Sequence, residues 1–483
     1  MEMPSFAFLL YFLPVLLLGY FLLSFSAKAQ NLWLIVGSLV FYALGNHAYT
    51  LILAGLVLVN FLLGRVAGRL AIGARNEKKM RKVVWVACVV NLLPLVFFSY
   101  LPVPLNALCG LLGLEPIALP AMPLGLAFLA LKGISYVVDI CRRRVPHRQS
   151  FMSTALYLTF FPSLPAGPII RYHEVAAQIE KRRVSREGVA NGICRFIVGL
   201  AKAVVLGGPL LAVADIVFNQ SNISGIYATV PVSLAWLGVL ACMMGLYHGL
   251  SGFSDMAIGL GGVFGFVLPE NFRHPHLAAS VESFWQRCFS TMGTWFDDYV
   301  YQPLTSKRTN NDGMVLHTLL IWLLIGLWLG PDVPNLILAV WSFAFILVER
   351  IIELDPANTR SPLRHFFVLV FIPVAVIALR TDSVYQFTLY ISNMFGMRDN
   401  GFASPLALTL LRENWPVLAA GFVASFPLCT WLHRFTLRKR SFMGCVVSLA
   451  YPVAMVVLVV LVVLALSSSS YNPYLMVQQY LWS

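Results

Sequence analysis

Apolar runs close to the length of a bilayer crossing recur from one end of this sequence to the other. They include residues 6–23, 33–44, 83–100, 122–140, 336–348 and 445–466. A helix needs roughly 20 mostly apolar residues to cross the hydrocarbon layer, and by that measure the sequence offers about a dozen transmembrane or re-entrant segments. Inside lipid every backbone amide must be satisfied within its own segment, so repeated runs of this kind dictate helices. Only 11% of the 483 residues are charged and 59% are hydrophobic, whereas soluble domains carry about 25% charged residues. The sequence therefore predicts an all-α, polytopic integral membrane protein and excludes a soluble globular enzyme. The first run is not followed by a small-residue cleavage site, and further runs come after it. It is expected to be a retained helix. No Gly/Ser linker divides the chain, so residues 1–483 are expected to form a single membrane domain.

The net charge of +13 does not point to nucleic acid, because that requires a solvated basic face. More than half of the basic residues fall in four short stretches between apolar runs: 64–82, 142–148, 181–186 and 434–440. The positive-inside rule assigns such loops to the cytoplasm, where they also meet anionic headgroups. Between 187 and 434 the count of apolar runs comes out odd, so one of them is expected to be re-entrant or not a crossing at all. The eight cysteines are scattered and form no CxxC pair. They read as small buried hydrophobes, with no metal site implied.

Two segments depart from simple spans. Residues 150–170 are apolar but interrupted by Pro162, Pro165, Gly167 and Pro168. Irregular backbone at membrane depth survives only against protein or a water-filled cavity. Residues 280–304 mix aromatic and charged side chains, which suits a helix at the interface or lining a cavity. No internal repeat of the kind carried by transporters is visible.

Motifs accumulate in one order along the chain. They begin with Met122-Pro-Leu-Gly-Leu126 and Ile134-Ser-Tyr-Val-Val-Asp139, then Phe160-Phe-Pro-Ser-Leu-Pro-Ala-Gly-Pro168 and Ser251-Gly-Phe-Ser-Asp-Met-Ala-Ile-Gly259. Next come Leu268-Pro-Glu-Asn-Phe272, Phe284-Trp-Gln-Arg287 and Asp298-Tyr-Val-Tyr-Gln-Pro303. Gly326-Leu-Trp328 and Tyr471-Asn-Pro-Tyr474 complete the set. Over roughly residues 120–480 the sequence thereby resembles the membrane-bound O-acyltransferase family. The nearest branch handles alginate O-acetylation and teichoic-acid D-alanyl transfer.

The resemblance implies a helical funnel with a tunnel through the membrane. Acyl groups, acetyl in the first instance, would enter from the cytoplasmic side on acetyl-CoA or another thioester carrier, with no resident cofactor and no metal. They would serve O-acylation of a cell-surface polysaccharide. The implied surroundings are a bacterial inner membrane, crossed many times, with the lipid bilayer, the acyl donor and a periplasmic acyltransferase or glycan synthase as partners. No nucleic acid is expected. Trp285, Arg287, Asp298, Tyr299, Tyr301 and Trp328 would line the tunnel or bind the acceptor. For Asp298, Arg287 and Glu270 a structural ion-pair network is the competing expectation.

The resemblance also implies a tunnel histidine acting as general base, for which an imidazole is suited by a pKa near operating pH. It would stand in a G-L-W-H-G motif, with a second histidine shortly after F-W-x-R. Here those places hold Leu329 and Phe289, and neither side chain accepts a proton. Asp297 stands where an arginine is expected, and Tyr247-His-Gly-Leu250 replaces an aromatic–Asp–aromatic run. His248, Ser251 and Asp255, at i, i+3 and i+7, share one helix face, which makes His248 a candidate substitute base with Asp255 beside it. A core imidazole bonded to a neighbouring carbonyl or hydroxyl is the plainer expectation for His248. His317 lies twelve residues before Leu329, about 18 Å along a helix. His274 and His276, flanking Pro275, are expected at the interface, and His47, His147, His173, His365 and His433 at loops or helix ends. An active acyltransferase and a catalytically inactive relative acting as scaffold or acyl-binding subunit both remain open at this point.

Overall fold

A computed structural model describes residues 3–468, apart from 46, 73–76, 118–119, 121, 124, 148, 165, 223–228, 306–310, 353–361, 382 and 428–441. The basic stretch 434–440, the 471–474 motif, Arg75, Leu124, Arg148, Pro165, Cys429 and His433 lie outside the described residues. Among the described residues the protein is helical, with one isolated antiparallel bridge between Phe272 and Cys288 and no strand.

The helices run in order α1 (Leu13–Leu22), α2 (Ala27–Gly45), α3 (His47–Ile72), α4 (Glu77–Leu95), α5 (Pro102–Leu111), α6 (Leu126–Cys141) and α7 (Phe151–Thr159). There follow α8 (Tyr172–Glu180), α9 (Arg186–Ala201), α10 (Gly208–Asn222), α11 (Val232–Val263), α12 (Val281–Arg287), α13 (Ser290–Phe296) and α14 (Gln302–Thr305). The chain continues through α15 (Asn311–Leu329), α16 (Val333–Ile351), α17 (Pro362–Ala378), α18 (Val384–Met394), α19 (Pro405–Ala424) and α20 (Phe442–Ser468).

Seven of the described segments are long and apolar enough to cross a membrane: 27–45, 47–72, 77–111, 186–219, 232–263, 333–351 and 450–468. Three shorter apolar helices, 8–22, 313–329 and 368–378, accompany them. The segment 77–111 is one bent candidate crossing. Pro94 lacks the N–H that would continue the helical ladder, and a wide turn over Val96–Tyr100 follows it before α5 begins.

The apolar run 122–140 has a different use from the crossing that its hydropathy suggests. It forms α6, only 16 residues, with every side chain from Leu126 to Ile140 buried. The helix carries Lys132, Ser135 and Asp139 among its apolar side chains, and protein neighbours cover it on every side. Packing against α4 is close: a Cβ at Gly133 would stand 2.0 Å from Asn91 Oδ1. That asparagine exchanges two hydrogen bonds with Asn60 of α3, at 2.8 and 2.9 Å. Each also donates back to its own helix, so both buried amides are satisfied.

Helices α9 and α11 cross antiparallel on a ladder of glycines. A Cβ at Gly192 would lie 2.6 Å from the Gly259 carbonyl oxygen, and one at Gly199 the same distance from that of Gly252. Small residues let membrane helices approach to backbone contact. One side of this crossing is braced by charge. Arg195 donates to Asp255 at 2.7 Å and to Glu270 at 2.6 Å, and Lys202 donates to Asp255 at 2.7 Å.

Of the interrupted stretch 150–170, the described residues from Thr154 onward are buried in protein, as irregular backbone at depth must be. Its freed amides find side chains: Phe161 N–H donates to Ser38 Oγ at 3.3 Å, and Ile169 N–H to Thr291 Oγ1 at 3.0 Å. Residues 280–304 are broken into α12, α13, a wide turn over Asp297–Tyr301 and α14.

Candidate functional site

Two short turns shape the site. In the first, His274 takes a left-handed backbone conformation (φ 50°), and Pro275 opens a single tight turn through Leu277. In the second, Phe289 is left-handed (φ 53°) and breaks the chain between α12 and α13. The left-handed region costs a non-glycine residue about 1–2 kcal/mol, so the surroundings must hold both turns in place. They are tied to one another. Arg273 N–H donates to the Arg287 carbonyl at 2.9 Å, across the Phe272–Cys288 bridge, and Ser290 N–H donates to the Asn271 carbonyl at 3.0 Å. His274 Nδ1 lies 3.1 Å from the Ser425 carbonyl oxygen, which ties the first turn to the end of α19.

Between these turns and helices α11, α15, α16 and α17 lies an apolar chamber of about 120 Å³. Phe289, Leu329, Trp285, Trp328 and His276 line it. A second, more polar vestibule of about 410 Å³ adjoins it, with Glu282, Asp297, Tyr301 and Arg350 at its walls. The two share Trp285, Cys288, Phe289, Met292, Trp322 and Ile325. Phe289 thus stands in the partition between a polar approach and an apolar end.

His276, expected at the interface, instead faces the chamber. Both ring nitrogens are shut off from solvent and have no hydrogen-bond partner among the described residues. The ring packs edge-on to Tyr247, with centroids 4.6 Å apart. Burial in apolar surroundings pushes its imidazole down to about 4, with His274 adding to the fall. The indole Nε1 of Trp285, in the same chamber, is likewise buried with no partner among the described residues. Sequence reasoning passed over His276 because the Pro275 turn resembles a surface loop. The available signal was its place between Phe272 and Phe284-Trp285, two stretches that border the chamber.

The remaining candidates fall elsewhere. His248 is fully buried in α11, with Nε2 2.7 Å from the Gly421 carbonyl oxygen and 3.3 Å from Ser425 Oγ. It is outside the chamber lining and locks α11 to α19. Asp255 sits in the charge brace with Arg195 and Lys202. Arg287 is half-buried and donates to the Leu277 carbonyl at 3.2 Å. Tyr299 donates to Asp139 at 2.8 Å.

Asp298 is the centre of an ion-pair cluster away from the chamber. Arg144 grips its carboxylate with two bonds of 2.6 and 2.8 Å, and Arg171 adds a third at 3.1 Å. Arg142 approaches to 3.4 Å and also donates to the Asp298 carbonyl at 2.9 Å. Burial works against ionisation of Asp298, but Arg144, Arg171 and Arg142 outweigh it and hold the carboxyl below the usual carboxylate range. The sequence left Asp298 open between a tunnel role and a structural one, and the structure places it in this arginine network. Among the described residues no group of His, Cys, Asp and Glu side chains is arranged to hold a metal ion.

Residues 80–380, which carry α6 to α16 and both cavities, match the family model of the membrane-bound O-acyltransferases (MBOAT). The chain belongs to the membrane-bound O-acyltransferase family. It is 32% identical over 405 residues to a probable alginate O-acetylase of Pseudomonas putida, covering 83% of this chain and 81% of that protein. A peptidoglycan O-acetyltransferase of Helicobacter pylori is 30% identical over 370 residues, 70% of this chain and 66% of its own. A teichoic acid D-alanyltransferase of Bacillus subtilis is 24% identical over 222 residues, 43% of this chain and 53% of its own. The MBOAT assignment agrees with the ordered motifs read from the sequence and with a helical, membrane-embedded protein.

Proposed function

We propose that this MBOAT protein takes an acetyl group from a cytoplasmic thioester, acetyl-CoA or an equivalent carrier, and passes it on for O-acylation of a cell-envelope polysaccharide. The membrane is the bacterial inner membrane. A periplasmic acyltransferase or glycan synthase receives the acyl group or the modified chain. The apolar chamber is the observation that carries this assignment. Its volume of about 120 Å³ compares with a dry protein cavity of about 150 Å³ that binds benzene. It therefore suits a two-carbon acyl group. The adjoining vestibule, with Glu282, Asp297, Tyr301 and Arg350, offers the polar surroundings that a hydroxyl acceptor or a carrier's polar arm requires. The relatives named for alginate and peptidoglycan O-acetylation support the choice of acetyl and of a glycan acceptor.

A second reading has its own observation. Phe289 and Leu329, at the positions where the resemblance places histidines, both line the chamber. On that ground the chain would bind an acyl group without transferring it. One experiment tests whether the chain takes part in acetylation at all, and the base substitutions below then separate the two readings. Deletion of the gene, followed by complementation with the full chain, is scored by acetate released from envelope polysaccharide in mild alkali. Acetyl content that falls on deletion and returns with the wild-type chain supports transfer. Acetyl content indifferent to the deletion refutes it.

A further inference from the structure

Among the described residues, an unpartnered base and an unpartnered donor share one apolar chamber. Leaving a buried polar group without a hydrogen bond costs about 1–3 kcal/mol, and most buried polar atoms in folded proteins are paired. His276 violates the rule at both ring nitrogens, and Trp285 violates it at Nε1. The two line the same chamber, so the two violations occur in one small space. Nothing in the packing forces them there by slackness. The His276 turn is pinned by the His274 contact to Ser425 and by the backbone bonds across Phe272–Cys288. Trp285 is wedged against Trp322, with ring centroids 5.1 Å apart. Strained backbone persists only where the surroundings over-determine it, and such strain gathers at active sites. Here it flanks the chamber at His274 and at Phe289.

The geometry points to His276 as the general base of this chain, with the Trp285 indole N–H as the donor that stabilises negative charge on the reacting carbonyl oxygen. This assignment rests on the acyl-transfer reading above and supplies the proton acceptor that Phe289 and Leu329 lack. His248 is less suited, since Nε2 is already engaged by the Gly421 carbonyl and the ring does not border the chamber.

The chemistry balances with a thioester donor and a hydroxyl acceptor. A lone pair on the His276 ring takes the proton of the hydroxyl as its oxygen bonds to the thioester carbonyl carbon. Charge gathers on the carbonyl oxygen, which accepts from Trp285 Nε1. The carbon–sulfur bond then breaks, and the departing thiolate takes the proton from the imidazolium to leave as a thiol. The products are an ester and a free thiol, and His276 returns to its neutral form. Cys288 also borders the chamber, but burial raises its thiol to about 12, so it stays protonated and does not compete as a nucleophile.

The test uses membranes from cells that produce the full chain, supplied with radiolabelled acetyl-CoA. Alkali-labile label in the polysaccharide fraction is followed over time. Positioned base catalysis is typically worth about 10²–10⁴-fold, so H276A and H276Q are each expected to slow transfer about 100-fold or more. Loss of one oxyanion donor costs about 10²–10³-fold in the best-studied case, and W285F is expected to fall in that direction while keeping an aromatic ring in place. Glutamine keeps the bulk and polarity of the imidazole but cannot take the proton. Transfer by H276Q within threefold of wild type therefore overturns the assignment, whether or not H276A inserts properly. Wild-type chain that incorporates no label above empty membranes refutes the acyl-transfer reading instead. The two failures are thus distinct.

Discussion

Replacing Asp298 by asparagine removes one negative charge from among three guanidinium groups and preserves the side chain's shape. The carboxylate accepts bonds of 2.6 and 2.8 Å from Arg144 and 3.1 Å from Arg171, and is itself only 6% exposed. Asparagine retains one acceptor oxygen and turns an N–H₂ toward a cation, so at least one of these bonds is lost outright. A hydrogen bond to a charged group is worth about 1.5–3 kcal/mol, and removing one partner of a buried pair costs about 3–5 kcal/mol. The arginines are 30%, 33% and 19% exposed, so water screens part of the released repulsion. The expected loss is about 2–3 kcal/mol. Thermal unfolding of the purified protein in detergent, followed by tryptophan fluorescence, reads it as a lower midpoint. An unchanged midpoint together with a collapse of acetyl transfer would refute the structural account and return Asp298 to the substrate path.

Other substitutions probe the packing and the chamber. Gly199→Val should destabilise the protein by about 1–3 kcal/mol, because a Cβ there meets the Gly252 carbonyl oxygen at 2.6 Å; a midpoint equal to wild type would contradict the helix crossing. Ala339→Phe adds a ring at the chamber wall and should abolish acetyl transfer while membrane insertion persists; undiminished transfer would mean that acyl groups go elsewhere. Stability should also carry a signature of His276. Its folded-state pKa is depressed from 6.5 to about 4, so between those values the unfolded chain binds a proton that the folded chain refuses. Stability is then complete above pH 6.5 and declines on acidification toward pH 4, by about 1.4 kcal/mol per pH unit at most. Unfolding midpoints of wild type and H276Q, compared from pH 7 to about pH 4, should diverge, with the variant losing less.

Much of the fold was legible because hydropathy reports what water rejects. The apolar run at 336–348 became part of α16, and that at 445–466 became α20. The same index could not tell lipid from protein, which is why the run at 122–140 reads as a crossing and yet forms the buried helix α6. The glycine ladder went unread as well. Gly192 and Gly199 on one helix and Gly252 and Gly259 on another each repeat at seven residues. That spacing acquires meaning only when the two helices are paired. The ordered motifs led to the chamber's aromatic walls at Trp285 and Trp328 and to Phe289 and Leu329. Helical-wheel reasoning set His248 and Asp255 on one face, but which side of α11 meets a cavity is decided by α17 and α19, far away in sequence. His276 was hidden for a related reason, since a histidine after a proline gives no periodic signal.

The left-handed backbone at Phe289 bears on how the chamber could be re-equipped. Among residues with a side chain, histidine enters that region several-fold more readily than average, along with asparagine and aspartate, whereas bulky residues there are outliers. At φ 53° and ψ 42°, position 289 therefore has a main chain better suited to an imidazole than to the phenyl ring it carries. The Phe272–Cys288 bridge and the Ser290–Asn271 bond hold that conformation from outside the residue. Phe289→His would thus meet a ready-made seat, in the wall between the polar approach and the acyl chamber, with no rearrangement of the chain around it.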